Sequence, residues 1–278
     1  MSALPQELQC MSTRGRSFFR RIDIRFPWLK LVAVCIIGTL AVLDLCDITI
    51  SHIGDPVTKV RIAPFAKHLR VTERVLDGKK LVALTFDDGP SPNTTPRLLD
   101  ILQEKDVPAT FFSLGNMART NPDIIKRAKK EGHEIGSHTL SHQNLIRIPA
   151  TVVQADINEA KDIIKSITGK LPEYTRPPYG NINDIVRAAV GTPMILWSVD
   201  TEDWKTKTTE SIVSIAMSEV HDGAIILMHD IYPTSVDAVP TLVDTLREEG
   251  YEFATISEIT KIRGVKLENG QAYYNFRP

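Results

Sequence analysis

The chain has 278 residues, of which 42% are hydrophobic and 24% charged, with a formal net charge of −1. That balance excludes a disordered chain and a basic nucleic-acid-binding surface, and the length suits one large domain or two small ones. Cys10, Cys35 and Cys46 all precede Asp47, so the remainder holds neither an internal disulfide nor a thiolate metal site.

In chain order, residues 1–27 are a basic start in which Arg14, Arg16, Arg20, Arg21 and Arg25 lead up to Trp28. An apolar run from Leu31 to Leu43 follows, then Asp44, Asp47 and Asp55. Basic residues before such a run keep the N-terminus in the cytoplasm and place the remainder outside. Counted over 28–47, with Lys30 snorkelling, the segment is long enough for a transmembrane signal-anchor in the cell membrane. A cleaved signal peptide, leaving a secreted protein, is the alternative. Its cut after Thr39-Leu40-Ala41 would fall inside the apolar run itself. Met11 is a second candidate start that would keep the basic flank.

Residues 48–80 have mixed charge and no clean periodicity, and read as a stalk and packing segment. From Leu81 the pattern is regular. Strands are expected over 81–87, 109–115, 133–138, 173–176, 194–200, 224–230 and 252–257. Helices are expected over 94–104, 122–131, 151–168, 182–190, 209–220 and 236–249, with turns such as Glu131-Gly132 and Glu249-Gly250 before the next strand. This alternation predicts a parallel α/β domain over 81–278. Asp87 and Asp88 close the first strand and His138 the third. Arg176 follows the fourth, Asp200 and Asp203 the fifth, and His229 and Asp230 the sixth. Polar groups from five strand ends converge more readily in a (β/α) barrel than along an open sheet. About seven parallel strands predict a distorted or incomplete barrel.

The chemistry is concentrated at those ends. His138 and His142, four residues apart, place two imidazoles on one face of an expected helical turn. The Asp87-Asp88 pair offers one carboxylate to complete a facial metal set and a second to act as a base, and His229 could supply an acid. With thiolates excluded, the pattern is that of a metal-dependent hydrolase.

These residues resemble the five motifs of the polysaccharide deacetylase family, which shares the NodB homology domain and is also called carbohydrate esterase family 4. The motifs appear in order as Thr85-Phe-Asp-Asp-Gly-Pro90, His138-Thr-Leu-Ser-His142, Arg176-Pro-Pro-Tyr-Gly180, Asp200-Thr-Glu-Asp-Trp204 and Leu227-Met-His-Asp230. The resemblance implies that Asp88, His138 and His142 hold a divalent metal, zinc before cobalt, and that Asp87 is the general base. It makes His229 the general acid, held by Asp203, and Arg176 the partner of Asp87, with an ion pair to Asp200 as the competing reading. It assigns the backbone N–H of Tyr179 to the oxyanion, and Trp204 and Leu227 to a slot for the acetyl methyl group. One departure is Gln143, where the family usually has proline; it bears on loop shape and not on chemistry.

The implied activity is removal of N-acetyl groups from an extracellular amino-sugar polymer, with peptidoglycan N-acetylglucosamine first. Relatives acting on N-acetylmuramic acid tend to depart from the fourth motif, which is intact here. Chitooligosaccharides, an exopolysaccharide or O-acetylated xylan are the alternatives, and a catalytically silent glycan-binding scaffold is the reading from another class. The implied partners are the cell-wall glycan and, through the N-terminal helix, the membrane; nucleic acid is not among them and oligomeric state is left open. His52, His68, His133 and His221 are assigned no chemistry.

Overall fold

The computed structural model of the chain describes residues 48–50, 58–60, 79–206 and 208–278. Contacts divide the chain into two units, Met1–His68 and Leu69–Pro278. In the first, β1 (Ile48–Ile50) and β2 (Thr58–Val60) pair antiparallel, within the segment expected to be a stalk. The expected anchor over 28–47, with His52 and His68, lies outside the described residues. Among the described residues no helix is long and apolar enough to cross a membrane.

In the second unit, β3 (Lys80–Asp87) sets the architecture, being buried from Leu81 to Asp87. Side chains alternate between strand faces. Val82, Leu84 and Phe86 therefore enter one apolar cluster and Leu81 and Ala83 another. The first cluster packs the sheet against α1 (Thr95–Glu104), and further along against the two later helices that carry Ile212 and Val236. On the second, inner face the column continues Leu81, Ala83, Thr85, Asp87, apolar at its start and polar at its end.

After α1 come β4 (Thr110–Ser113), α2 (Gly115–Thr120), α3 (Pro122–Lys130), β5 (Glu134–Ser137) and α4 (Ala150–Thr168). Then follow α5 (Asp184–Val190), β6 (Met194–Ile195), β7 (Val199–Asp200), α6 (Asp203–Thr206) and α7 (Thr209–Glu219). The chain ends with β8 (Ala224–His229), α8 (Pro233–Glu248), β9 (Tyr251–Phe253), α9 (Ile256–Ile262) and β10 (Ala272–Tyr273).

The sheet runs β5-β4-β3-β8-β7, with β9 also on β3, and its pairs are parallel. Beyond β5, Ser137 bridges Thr175 and Thr175 bridges Met194 of β6, both in parallel. The chain then continues from β6 into β7, which pairs with β8 and so returns to β3. The pairings trace a distorted barrel of parallel strands, as the alternating pattern predicts.

Three expected strands are substantially changed. The one over 252–257 ends at Phe253, and Ile256 and Ser257 instead open α9. The strand over 173–176 shrinks to bridges at Thr175, because Pro177 and Pro178 have no N–H to extend a ladder. The strand over 194–200 breaks between Ile195 and Val199. The carbonyls of Ile195 and Leu196 instead accept hydrogen bonds from the Arg176 guanidinium.

Inside the barrel the fully buried Phe112 faces Gly136 in register across β4 and β5. A β-carbon at Gly136 would lie 2.6 Å from the Phe112 ring. Gly136→Ala is therefore expected to destabilise the fold by about 1–3 kcal/mol through overpacking, measured by chemical denaturation. An unchanged midpoint would show that the ring has room to move.

Candidate metal centre

Strand register assembles the site. Asp87 at the end of β3 lies opposite His229 at the end of β8, and Ser113 of β4 opposite Ser137 of β5, just before His138. Asp88 has a left-handed backbone (φ 76°), a conformation that aspartate tolerates better than most residues. The turn breaks the strand alternation and brings both carboxylates to the same mouth: Asp87 Oδ2 lies 3.7 Å and Asp88 Oδ1 3.5 Å from His138 Nε2.

His138 and His142 converge, but not on a helical turn. The segment between them is a loop in which Thr139 (φ 71°) and His142 (φ 59°) are left-handed. Its polar groups bond outward. Gly115 and Asn116 N–H donate to the carbonyls of Thr139 and Leu140, and Leu140 N–H donates to Asp156. A helical hydrogen-bond ladder is thereby replaced, and the loop still brings His142 Nε2 to 3.4 Å from Asp88 Oδ1.

Asp88, His138 and His142 offer three ligand atoms within 4.8 Å of one another. His138 Nδ1 lies 2.6 Å from the carbonyl of Arg176. A carbonyl only accepts, so Nδ1 carries the proton and Nε2 presents its lone pair to the cluster. Burial, opposed by the charge of Asp88, holds the His138 pKa down to about 3, which keeps the imidazole neutral as a ligand must be. Asp88 Oδ1 is buried and has no hydrogen-bond partner. An orphaned carboxylate oxygen between two imidazoles suits a divalent cation, and the triad leaves further coordination positions open.

Asp87 Oδ1 accepts from Arg176 Nη1 at 2.7 Å. Burial raises the Asp87 pKa above the ordinary carboxylate range, with Arg176 pulling the other way, and a raised carboxylate is a better base near neutrality. Arg176 also donates to Thr85 Oγ1 at 2.9 Å and stacks over the Phe112 ring at 4.0 Å. The competing ion pair with Asp200 is not formed. Asp200 accepts from Glu202 N–H instead, while the Arg176 guanidinium is drawn to the inner face of β3.

Opposite Asp87, His229 Nδ1 lies 2.7 Å from Asp203 Oδ1, and Asp203 Oδ2 accepts from His229 N–H and from Ser235 Oγ. His229 Nε2 is 4.0 Å from Asp88 Oδ2. Burial works against a charge on His229, but the Asp203 bond and the fields of Asp203, Asp87 and Asp88 outweigh it and raise the pKa to about 9. Tyr179 takes a left-handed conformation (φ 61°, ψ 7°), and its exposed ring meets His142 edge-on at 4.7 Å. Trp204 is half exposed and Leu227 buried.

The fold matches solved members of a family. The polysaccharide deacetylase model matches residues 75–192. Over 191 residues the chain is 42% identical to the peptidoglycan-N-acetylmuramic acid deacetylase PdaC of Bacillus subtilis, covering 69% of this chain and 41% of that protein. It is also 42% identical over 196 residues to the peptidoglycan-N-acetylglucosamine deacetylase PgdA of Listeria monocytogenes, covering 70% of this chain and 41% of that protein. The chain thus spans about two-fifths of the length of these relatives. The solved structure of the Bacillus subtilis PdaC superposes with a TM-score of 0.65 at 42% identity, covering 67% of this chain and 93% of that one. The chain belongs to the polysaccharide deacetylase family. The family expected from the motifs is thereby shown, and Asp88, His138 and His142 form a possible metal-binding triad within it.

The motifs alone do not reveal the support beneath this polysaccharide deacetylase site. Asp230 is buried under the turn after Asp88, where its Oδ2 accepts from Thr95 Oγ1 at 2.6 Å. Burial, opposed by the Thr95 bond and reinforced by Asp88 and Asp87, raises its pKa to about 7. A β-carbon at Gly89 would come within 2.0 Å of that carboxyl, so the turn needs glycine there. Asp156 and Ser235, unlike Asp230, lie outside the motifs. His133 receives the Ala109 N–H at the start of β5, and His221 contacts Arg277, both away from the cluster.

The Asp203–His229 pair has a direct readout. Asp203→Asn removes the charge that favours the imidazolium, so the His229 titration midpoint should fall by about 1–3 units, followed by NMR of the ring protons. An unmoved midpoint would mean that the other carboxylates alone set it.

Proposed function

We propose that this chain is a zinc-dependent deacetylase that removes N-acetyl groups from peptidoglycan N-acetylglucosamine, with its catalytic unit held outside the cell membrane by the segment 28–47. The observation that carries the reading is the placement of a carboxylate and a histidine beside members of one candidate ligand triad. Asp87 lies beside His138, and His229 lies beside Asp88. Two imidazoles and a carboxylate suit zinc, with cobalt as a substitute. When bound, the metal supplies Lewis acidity toward the acetyl carbonyl and the attacking water.

The chain's own residues supply the proton transfers. Asp87 takes the proton of the attacking water, its carboxylate held in line by the Arg176 N–H. The Tyr179 backbone N–H, presented by its left-handed turn, faces the developing oxyanion. His229 Nε2 gives a proton to the departing amine, while Asp203 holds Nδ1 and keeps the imidazolium charged. Trp204 and Leu227 line the slot for the acetyl methyl group. The two relatives at 42% identity are named for different sugars, so identity does not choose between them. The intact Asp200-Thr-Glu-Asp-Trp204 motif supports glucosamine. The basic flank and apolar length of the N-terminal segment support the anchor.

The test is acetate release from purified peptidoglycan by the full chain, stripped of metal and then given zinc or cobalt. Acetylated xylan and chitooligosaccharides run in parallel, and mass spectrometry of the muropeptides identifies the sugar. Release is expected to be lost on chelation, restored by metal, and reduced about 100-fold or more in Asp87→Asn. Turnover of xylan but not peptidoglycan would overturn the substrate, and full activity in Asp87→Asn would overturn the base.

A further inference from the structure

The loop that carries His138 and His142 is held in an unfavourable backbone. Two non-glycine residues, Thr139 and His142, are left-handed within five positions, and such conformations persist only where the surrounding structure imposes them. One wall imposing it is backbone: Gly115 and Asn116 at the start of α2 donate to the carbonyls of Thr139 and Leu140. The other wall is a single side chain. Asp156 lies on α4 between Val153 and Ile157 of its apolar face and is 5% exposed. Its Oδ1 accepts from Leu140 N–H at 2.8 Å, and its Oδ2 accepts from Ser141 Oγ at 3.1 Å. A buried carboxylate needs partners to offset its lost hydration, and both of these come from the two residues that directly precede His142.

We infer that Asp156 is a positioning residue for the metal centre: from α4 its carboxylate clamps the middle of the histidine loop and sets the separation of His138 and His142. The inference rests on Asp88, His138 and His142 being the metal ligands. The Asp156 carboxylate bonds Leu140 and Ser141 and not Asp88, His138 or His142; it acts through the backbone and the Ser141 hydroxyl. Removing it releases Leu140 and Ser141, and the left-handed residue at His142 is free to relax away from Asp88. Support of this kind beyond the ligands carries about 10- to 100-fold in metal affinity.

The experiment compares full-length wild type, Asp156→Ala, Asp156→Asn and Ser141→Ala. Zinc affinity is measured by chelator competition, cobalt geometry by its visible absorption, and metal-free stability by thermal unfolding. Zinc affinity is expected to fall about 10- to 100-fold in Asp156→Ala, with an altered cobalt spectrum. Asp156→Asn keeps an acceptor for Leu140 N–H and should fall between, and Ser141→Ala, which removes one of the two bonds, should lose part of the affinity. Wild-type affinity and cobalt spectrum in Asp156→Ala would overturn the inference while leaving the metal centre intact. So would a loss of affinity seen only where the metal-free protein is already unfolded. If Asp156→Ala does not fold, the asparagine and Ser141→Ala variants decide by the same readings. Failure of the wild type to bind either metal would overturn the metal centre and this inference together.

Discussion

The ion pair between Arg176 and Asp87, both almost fully buried inside the barrel, is the constraint on which the rest depends. Two charges taken out of water are costly, and the cost is offset only when every lone pair and proton finds a partner. Arg176 meets that condition by reaching across the barrel. It donates to Asp87 and Thr85 at the C-terminal end of β3, to the carbonyls of Ile195 and Leu196, and rests on Phe112. One side chain thereby ties its own loop and the segment at Ile195 and Leu196 to β3, with which neither shares a regular ladder. Removing a single partner of such a pair typically costs about 3–5 kcal/mol, because the other charge is left buried and alone.

The same pair separates two adjacent carboxylates into different tasks. Asp87 is satisfied on one oxygen by Arg176 and raised by burial, whereas Asp88 presents a buried oxygen with no partner between two imidazoles. A divalent cation would satisfy that oxygen and both imidazole lone pairs at once. A cation there would also cancel part of the negative field that raises His229, bringing its pKa down toward the working range of a general acid. In the proposed reaction the metal, Asp87 and His229 would therefore form one electrostatic system, with none of the three tuned alone.

Much of this was legible in the sequence because strand ends carry the chemistry. The run Leu81–Asp87 alternates into two apolar faces and ends in the acidic pair, so the element and its functional end are read together. The pairing of Asp87 with His229 needs the register of β3 and β8, but the residues themselves stand out at the close of their strands. What was not legible depends on hydrogen bonds between segments far apart in sequence. The histidine spacing of four suggests a helix, yet Asp156 and the start of α2 claim the loop's polar groups. The break after Ile195 follows from a guanidinium 19 residues upstream. Asp156 left one faint signal, a charged residue on the otherwise apolar face of α4 that also carries Val153, Ile157 and Ala160. Asp230 stood beside His229 in plain view, but its role under Gly89 requires the fold.

The central claim is the division of labour between Asp88 as ligand and Asp87 as base. It is tested most directly by locating the metal, through anomalous scattering at the zinc edge from crystals of the zinc-loaded protein. The account predicts one strong peak bonded to Asp88, His138 and His142, at about 2.0–2.2 Å from each, with Asp87 unbonded and still paired to Arg176. A peak bonded to Asp87 in place of Asp88, or none at the triad, would contradict it.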